Sequence, residues 1–226
     1  MTESREKLLD AALSHVPFDG WSETTFAAAI AESRVAPGLA RATCPRGAVD
    51  LAIAYHKRGD ARMAERLAQA DLSAMRFRDR IAAAVRFRLE AVEDRELVRR
   101  GMALFALPQY APDGARLIWE TADLIWRSLG DSSDDINWYT KRATLSGVYS
   151  ATVLYWLGDD SNGHGATWDF LDRRIEEVMK FEQFKANMRA NPGLMRLLKG
   201  PLDVLGRIRA PGPRGAMPGS WGKERG

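Results

Sequence analysis

Apolar residues recur at intervals of three and four along nearly the whole chain, and Ala and Arg, both good helix formers, fill the intervals. The β-branched alternation that marks strands is absent. The pattern therefore predicts an all-α protein of about nine helices. A first helix carries an apolar stripe from Leu8 to Val16 and ends before Gly20, and short helices are expected at 22–33 and 37–43, where Pro45 prevents continuation.

Six longer helices follow in the pattern. Proline or glycine ends two of them, at Pro108 and Gly130, and aspartates begin three, as expected for residues that cap exposed backbone amides. The predicted ranges are 46–70, 73–92, 94–107, 113–129, 134 or 135 to 157, and 167–190.

The chain is expected to contain four segments. Residues 1–45 form a helix-turn-helix-like module, and residues 46–190 form the main helical domain. Residues 191–209 form a separate amphipathic helix. Residues 210–226 are rich in Pro and Gly and cannot form a core, so they should be disordered.

The predicted C-terminal helix has a wide apolar face and a narrower cationic one. The net charge of the chain is +3, but residues 183–226 alone carry +7, which leaves the rest at −4. This pattern is typical of a helix that lies on an anionic membrane surface, although such a helix also packs onto its own domain in many proteins. The membrane-binding candidates are Leu194, Met195, Leu197, Leu198, Leu202 and Leu205, with Arg196, Lys199 and Arg207 as the cations.

The composition argues against several classes of function. One cysteine, Cys44, excludes an internal disulfide framework, and three histidines show no spacing that suits zinc. No nucleophile and base pair, phosphate-binding loop or paired carboxylate helix is present, so we expect no enzyme activity, no metal and no cofactor other than a bound lipid.

The segment from Asp135 to Arg142 (Asp-Ile-Asn-Trp-Tyr-Thr-Lys-Arg) concentrates aromatic rings and cations at the start of a helix. Trp138 and Arg142 are four residues apart and share a face, so the guanidinium can lie over the indole. Tyr139 follows Trp138 in the sequence and so lies about 100° further round the helix. Trp138 or Tyr139 alone is compatible with a core position. The two rings and the two cations of the segment cannot all point inward, however, which indicates a binding surface.

This segment closely resembles the signature of the ubiquinone (coenzyme Q) biosynthesis accessory proteins, lipid-binding relatives of the TetR-type regulators. Residues 148–157, 159–161 and 167–175 continue the family's pattern, and residues 5–51 resemble the DNA-binding end of a TetR-type regulator. The resemblance implies a TetR-like fold and, by analogy, a homodimer. It also implies that Asp135, Trp138 and Tyr139 dock a di-iron hydroxylase, and that Arg142 lies near the polar end of a bound lipid.

Apolar residues in the middle of the chain exceed what three amphipathic helices need for a core. The regulator-like architecture would place a cavity here, and the resemblance implies an isoprenoid or acyl chain inside it. A filled core and a dimer interface remain alternative interpretations, because periodicity alone does not separate them. The candidate lining residues are Met102, Phe105, Trp119, Trp126, Leu145 and Tyr149, with Arg142 at the polar end.

We therefore expect a non-catalytic accessory protein that takes a ubiquinone precursor, or another isoprenoid or phospholipid, from a membrane and presents it to the hydroxylase. The expected location is the bacterial cytoplasm, peripherally on the inner membrane. The alternative is a TetR-type DNA-binding regulator with a hydrophobic effector. Because Arg41 is the only charged residue between Val35 and Cys44, we expect no nucleic acid partner.

Overall fold

A computed structural model describes residues 2–134 and 136–189 of the chain. Within those ranges all regular elements are helices, and the predicted all-α class is confirmed. A single 3₁₀ turn, Asn162–His164, precedes the last helix. The helices are α1 (Thr2–Leu13), α2 (Val16–Asp19), α3 (Glu23–Ser33), α4 (Pro37–Thr43), α5 (Ala48–Gln69), α6 (Phe77–Glu90), α7 (Arg95–Phe105), α8 (Ala111–Ser128), α9 (Ile136–Leu157) and α10 (Gly165–Arg189).

Local capping residues set several of these boundaries. The Ser22 hydroxyl accepts a hydrogen bond from the Thr25 amide at 3.3 Å and begins α3. Asp94 accepts one from the Glu96 amide at 2.8 Å and begins α7. Both interactions satisfy amides that have no partner inside the helix. The predicted short helix at 37–43 is confirmed at both ends.

Two predicted boundaries are wrong. The first predicted helix ends at Leu13, and the separate turn α2 follows it with Pro17 near its start. The helix expected from residue 73 begins at Phe77 instead. Here the Arg80 guanidinium donates to the carbonyls of Met75 (3.0 Å) and Ser73 (3.2 Å), which holds the preceding backbone in a non-helical conformation.

The chain divides into two compact units whose boundaries fall inside α6 and α8. Unit 1 comprises Met1–Asp71 and Arg86–Leu117, and unit 2 comprises Leu72–Val85 and the described residues from Ile118 onward. The units therefore do not follow the division predicted at residue 45. The predicted segments 191–209 and 210–226 lie outside the described residues, as do all the membrane-binding candidates from Leu194 to Arg207.

Unit 1 packs α1, α3, α4, α5 and α7 around a common apolar core. Trp21 connects these helices, because its indole donates to the Leu97 carbonyl at 3.2 Å and its ring lies 5.7 Å from that of Tyr55. The core residues with no exposed surface include Leu8, Leu9, Ala12, Val16, Phe26, Ala29, Ala40, Cys44 and Leu51.

A buried ion pair also stabilises unit 1. Arg88 donates to the Asp60 carboxylate at 2.6 Å and to the His56 carbonyl at 3.0 Å. Gly59 makes this approach possible, since a Cβ atom there would lie 2.6 Å from the Arg88 guanidinium carbon. Burial lowers the pKa of the neighbouring His56 to about 4, so this imidazole is neutral in the folded protein at pH 7.

Unit 2 contains the antiparallel pair α9 and α10 and the parts of α6 and α8 that pack on it. Asp159 holds the turn between the pair. Its carboxylate accepts from the Thr167 amide (2.9 Å) and hydroxyl (2.6 Å) and from the Ser161 amide (2.8 Å).

Candidate functional site

The first turns of α9 place Trp138 and Arg142 on one helix face, as the spacing predicts. The Arg142 guanidinium carbon lies 4.0 Å from the centroid of the Trp138 ring, which confirms the predicted cation–π contact. Arg142 is only 1% exposed. A guanidinium buried to this degree requires compensating charge nearby.

Two aspartates supply that charge. Arg142 Nε donates to Asp123 at 2.6 Å, and its Nη1 donates to Asp131 at 2.9 Å and to the Trp138 carbonyl at 3.1 Å. Arg127 shares Asp123 at 2.9 Å from the exposed side. Arg142 is thus bound to groups of its own unit on three sides.

Asp131 connects this buried arginine to Lys141. One carboxylate oxygen accepts from Arg142, and the other accepts from Lys141 Nζ at 2.7 Å and the Ser133 hydroxyl at 2.8 Å. Burial would raise the pKa of Asp131, but the hydrogen bonds from Lys141, Arg142 and Ser133 outweigh it and lower the pKa to about 2. The carboxylate is therefore ionised at any physiological pH.

An aromatic cluster covers Arg142. The Trp138 ring lies 4.8 Å from that of Tyr139 and 5.8 Å from that of Trp119. Trp138 is 9% exposed, whereas Tyr139 is half-buried. Asp135, the third residue of the predicted docking patch, lies outside the described residues. Within the patch, Tyr139 thus offers more accessible surface than Trp138.

Unit 2 contains a cavity of about 210 Å³ bounded by α6, α8, α9 and α10. Polar side chains of α9 form one side of its wall, and the remaining wall is apolar. Phe77 and Met179 line the cavity and are 44% and 41% exposed, so they lie at its opening. The lining residues are Phe77, Ile81, Trp126, Asn137, Thr140, Lys141, Thr144, Leu145, Val148, Ile175, Val178 and Met179.

The cavity includes two of the predicted lipid-binding residues, Trp126 and Leu145. Arg142, Trp119 and Tyr149 lie in the same unit but are not part of this wall. The predicted set contained no residue of α6 or of α10, although α10 directly follows α9 along the chain. Among the predicted lipid-binding residues, Trp126 contacts α6, because its ring centroid lies 5.5 Å from that of Phe77.

Met102 and Phe105 lie on α7 in unit 1, outside the lining of this cavity. Phe105 packs closely against Gly114 of α8, where a Cβ atom would lie 2.8 Å from the Phe105 Cβ. The structure therefore does not bring these two residues together with Trp126 and Leu145 in one wall.

In a TetR-type regulator, the helix at the position of α4 would bind DNA, and here the one cation of α4 is already in an ion pair. Arg41 of α4 forms an ion pair with Glu23, and its guanidinium lies 4.7 Å from the Phe26 ring centroid. Arg46 bonds Asp50 at 3.0 Å and Asp113 at 2.7 Å. These pairs reduce the positive charge that phosphate binding requires.

In the part of the chain that the structure describes, no helix is both long and apolar enough to cross a bilayer. The same residues contain no group of three or more His, Cys, Asp or Glu side chains arranged to hold a metal ion.

Comparisons with known proteins agree with the resemblance read from the sequence. The COQ9 family model matches residues 111–182. The ubiquinone biosynthesis protein COQ9 of Drosophila melanogaster is 35% identical over 183 residues, covering 79% of this chain and 56% of that protein. Its counterpart in Rattus norvegicus is 33% identical over 192 residues, covering 77% and 58%. The chain thus spans a little more than half the length of these relatives.

A solved structure supports the fold. The TetR transcriptional regulator from Nitrosomonas europaea matches with a TM-score of 0.63 and 19% identity, covering 76% of this chain and 96% of that chain. The predicted TetR-like fold and the predicted family resemblance are both confirmed.

The expected localisation is wrong. The Drosophila and rat relatives, and a Dictyostelium discoideum protein that is 26% identical over 201 residues, are all named as mitochondrial. These names contradict a bacterial cytoplasmic location. A chain with a single cysteine fits any reducing compartment, so its composition does not separate the bacterial cytoplasm from other such compartments.

Proposed function

Because the chain is a relative of the COQ9 proteins, we propose that it is a non-catalytic accessory protein of ubiquinone biosynthesis that binds the isoprenoid part of a ubiquinone precursor. The cavity of unit 2 is the binding site in this proposal. The protein holds the precursor while a di-iron hydroxylase modifies its ring, and it performs no bond chemistry itself.

The observation that carries the proposal is the composition of the cavity wall. Leucine, valine, isoleucine and aromatic side chains match a branched hydrocarbon chain, and Met179 at the opening can repack around ligands of different length. A volume of about 210 Å³ is below the ~300–1,000 Å³ of typical pockets for drug-sized ligands. The cavity therefore suits one segment of the isoprenoid, with the rest of the ligand extending through the opening.

The polar part of the wall gives the ligand an orientation. Asn137, Thr140, Lys141 and Thr144 all belong to the first turns of α9 and lie on one side of the cavity. Hydroxyl or carbonyl oxygens of an aromatic head group match these donors. The predicted contact between Arg142 and the polar end of a lipid stays a prediction, and Lys141 is the better candidate because it lies in the wall.

The proposed hydroxylase contact involves the aromatic cluster. Tyr139 is half-buried, and the Trp138 ring packs against it at a centroid distance of 4.8 Å while covering Arg142. In this proposal Tyr139 makes the direct contact, and Trp138 holds Tyr139 and the helix start in position. A homodimer and a peripheral membrane association are further parts of the proposal.

Filling the cavity tests the proposed function. We expect Leu145→Trp to reduce binding of a short-chain polyprenylated phenol at least tenfold, measured by native mass spectrometry and by fluorescence titration. Leu154→Trp is the matched control, because Leu154 lies on the same helix, is 59% exposed and is not part of the wall. Equal binding by both variants would exclude the cavity as the site.

Leu145 is buried, so a larger side chain there strains the packing, and a second variant keeps the test decisive. Thr144→Trp fills the cavity from a half-buried position, and Ala143→Trp adds the same ring at the neighbouring exposed position. Melting temperatures close to that of the natural chain establish that each protein is folded. If the folded Thr144 variant binds the phenol as tightly as the Ala143 variant does, the proposal fails.

DNA binding is the second candidate, and the likeness to a transcriptional regulator favours it. The ion pairs of Arg41 and Arg46 argue against it. A gel-shift experiment with genomic fragments separates the two functions, because a regulator binds selected sequences tightly and in a strongly salt-dependent manner. Selective binding of that kind would replace the accessory role with a regulatory one.

A further inference from the structure

The segment that enters α6 exposes two apolar side chains beside the cavity opening. Met75 is 43% exposed and Phe77 is 44% exposed, and only one residue separates them. The Phe77 ring also lines the cavity and contacts Trp126. On α10, Met179 adds a third exposed apolar side chain at the opening. Clustered apolar surface of this kind marks a contact site.

Three arginines alternate with these apolar residues. We use the name Met75 loop for residues 73–80, which comprise the turn before α6 and the first turn of α6. They carry Arg76, Arg78 and Arg80 against a single carboxylate, Asp79. Asp79 accepts from Arg76 at 2.8 Å and from Arg78 at 3.3 Å. Three cations and one anion leave the Met75 loop with a net charge of +2.

The loop is held in place and not merely extended into solvent. Arg80 donates to the carbonyls of Met75 and Ser73, so the exposure of Met75 is a fixed property of this turn. Glu176 of α10 interacts electrostatically with Arg78 and forms an ion pair with Lys180 at 2.9 Å, and that pair adds no net charge. The surface around the opening therefore stays cationic.

We propose that the Met75 loop is a membrane-contact surface that inserts Met75 and the edge of Phe77 into an anionic bilayer. Apolar side chains flanked by cations are the pattern of interfacial membrane binding. Arginine is suited to the depth of the lipid phosphates, because its planar guanidinium donates two parallel hydrogen bonds to phosphate oxygens. A protein partner would need an interface of about 1,000 Å² or more, which a short loop does not provide.

This inference rests on the proposed function for its purpose. A loop inserted beside the cavity opening lets an isoprenoid chain pass from the bilayer past Phe77 and Met179 without crossing water. The loop belongs to unit 2, as does the cavity, and both lie within the described residues.

A fluorescent label at residue 75 tests insertion directly. Cys44 is the only cysteine and is buried, so Met75→Cys in a Cys44→Ala background carries an environment-sensitive dye at one position. With vesicles of phosphatidylcholine and phosphatidylglycerol we expect a blue shift of the dye, and quenching by nitroxides placed high on the acyl chains. Phe18→Cys is the control, since Phe18 is 81% exposed and belongs to unit 1.

The arginines are tested in the full chain by vesicle flotation. Each cation near an anionic surface contributes about fivefold to partitioning, so Arg76→Gln with Arg78→Gln should reduce it about 30-fold. Arg99→Gln with Arg116→Gln changes the net charge equally, and both of those arginines are exposed and paired with an acid three residues away. We expect that control to change partitioning less than threefold.

The outcomes separate this inference from the proposed function. If the protein floats while the dye at residue 75 stays in water, or if both double variants lose partitioning equally, the Met75 loop does not insert. Met75→Ser should weaken flotation yet leave binding of the polyprenylated phenol unchanged in vesicle-free solution. Insertion without phenol binding would refute the cavity proposal alone, and phenol binding without insertion would refute this inference alone.

Discussion

Replacing Arg142 with methionine removes the most highly connected buried cation of unit 2. The change deletes three hydrogen bonds, to Asp123, Asp131 and the Trp138 carbonyl, and the stacking on the Trp138 ring. Breaking a buried ion pair from one side destabilises a protein by about 3–5 kcal/mol. Asp131 keeps Lys141 and Ser133, so we expect a loss at the lower end, about 3 kcal/mol.

Arg127→Met is the matched control, because Arg127 bonds the same aspartate, Asp123, but is 63% exposed. An exposed pair of this kind contributes about 0–1 kcal/mol. For a chain of this size 1 kcal/mol corresponds to about 2–4 °C, so the melting temperature should fall by about 6–12 °C for Arg142→Met and by less than about 4 °C for Arg127→Met.

Thermal unfolding followed by circular dichroism, with urea titration as a second measure, gives both values. If the two variants lose the same stability, the burial of Arg142 does not determine its contribution, and the reasoning is refuted. If Arg142→Met keeps the melting temperature of the natural chain yet loses phenol binding, the guanidinium belongs to the ligand site, as the family resemblance implies.

Three further predictions follow from the described contacts and the sequence. Tyr139→Ala should weaken binding to the purified hydroxylase, measured by calorimetry, with little change in melting temperature. Trp138→Ala removes a buried ring and should lower the free energy of unfolding by about 3–5 kcal/mol. If Tyr139→Ala lowers stability and leaves hydroxylase binding unchanged, Tyr139 is not the contact. The pKa of His56 is lowered to about 4 from 6.5, so between these two pH values the unfolded chain binds more protons than the folded chain does. The free energy of unfolding should therefore fall by about 3 kcal/mol as the pH drops from 6.5 to 4. This dependence should be absent in His56→Gln. Deleting residues 192–210 should reduce flotation with anionic vesicles without moving the melting temperature, and unchanged flotation would contradict the predicted membrane helix.

Local signals in the sequence were sufficient for most of the fold. Ser22, Asp94 and Pro37 each act within one helical turn, so their helix starts could be predicted without tertiary information. The start of α6 could not, because it depends on the Arg80 side chain folding back onto the carbonyls of Ser73 and Met75. A side chain that competes for backbone acceptors is not visible in hydrophobic periodicity.

The candidate site was predicted only in part, for a similar reason. The contact between Trp138 and Arg142 follows from a spacing of four residues. The aspartates that bind Arg142 are 19 and 11 residues away in sequence, and nothing local selects Asp123 and Asp131 among the other acids. Without these aspartates the sequence leaves Arg142 open to a phosphate, whereas in the structure its guanidinium already has two carboxylate partners.

Asp131 lies between the cavity wall and the aromatic cluster, and in the proposed function it keeps a ligand at Lys141 independent of the surface beside Tyr139. Asp131 binds Lys141 in the cavity wall through one oxygen and Arg142 beneath Trp138 through the other. A ligand oxygen that draws Lys141 away leaves the first oxygen with the Ser133 hydroxyl and leaves the Arg142 bond in place. We therefore expect a ligand that binds at Lys141, as proposed, to leave in place the arginine that supports Trp138, and we expect the surface beside Tyr139 to keep its shape whether the cavity is filled or empty.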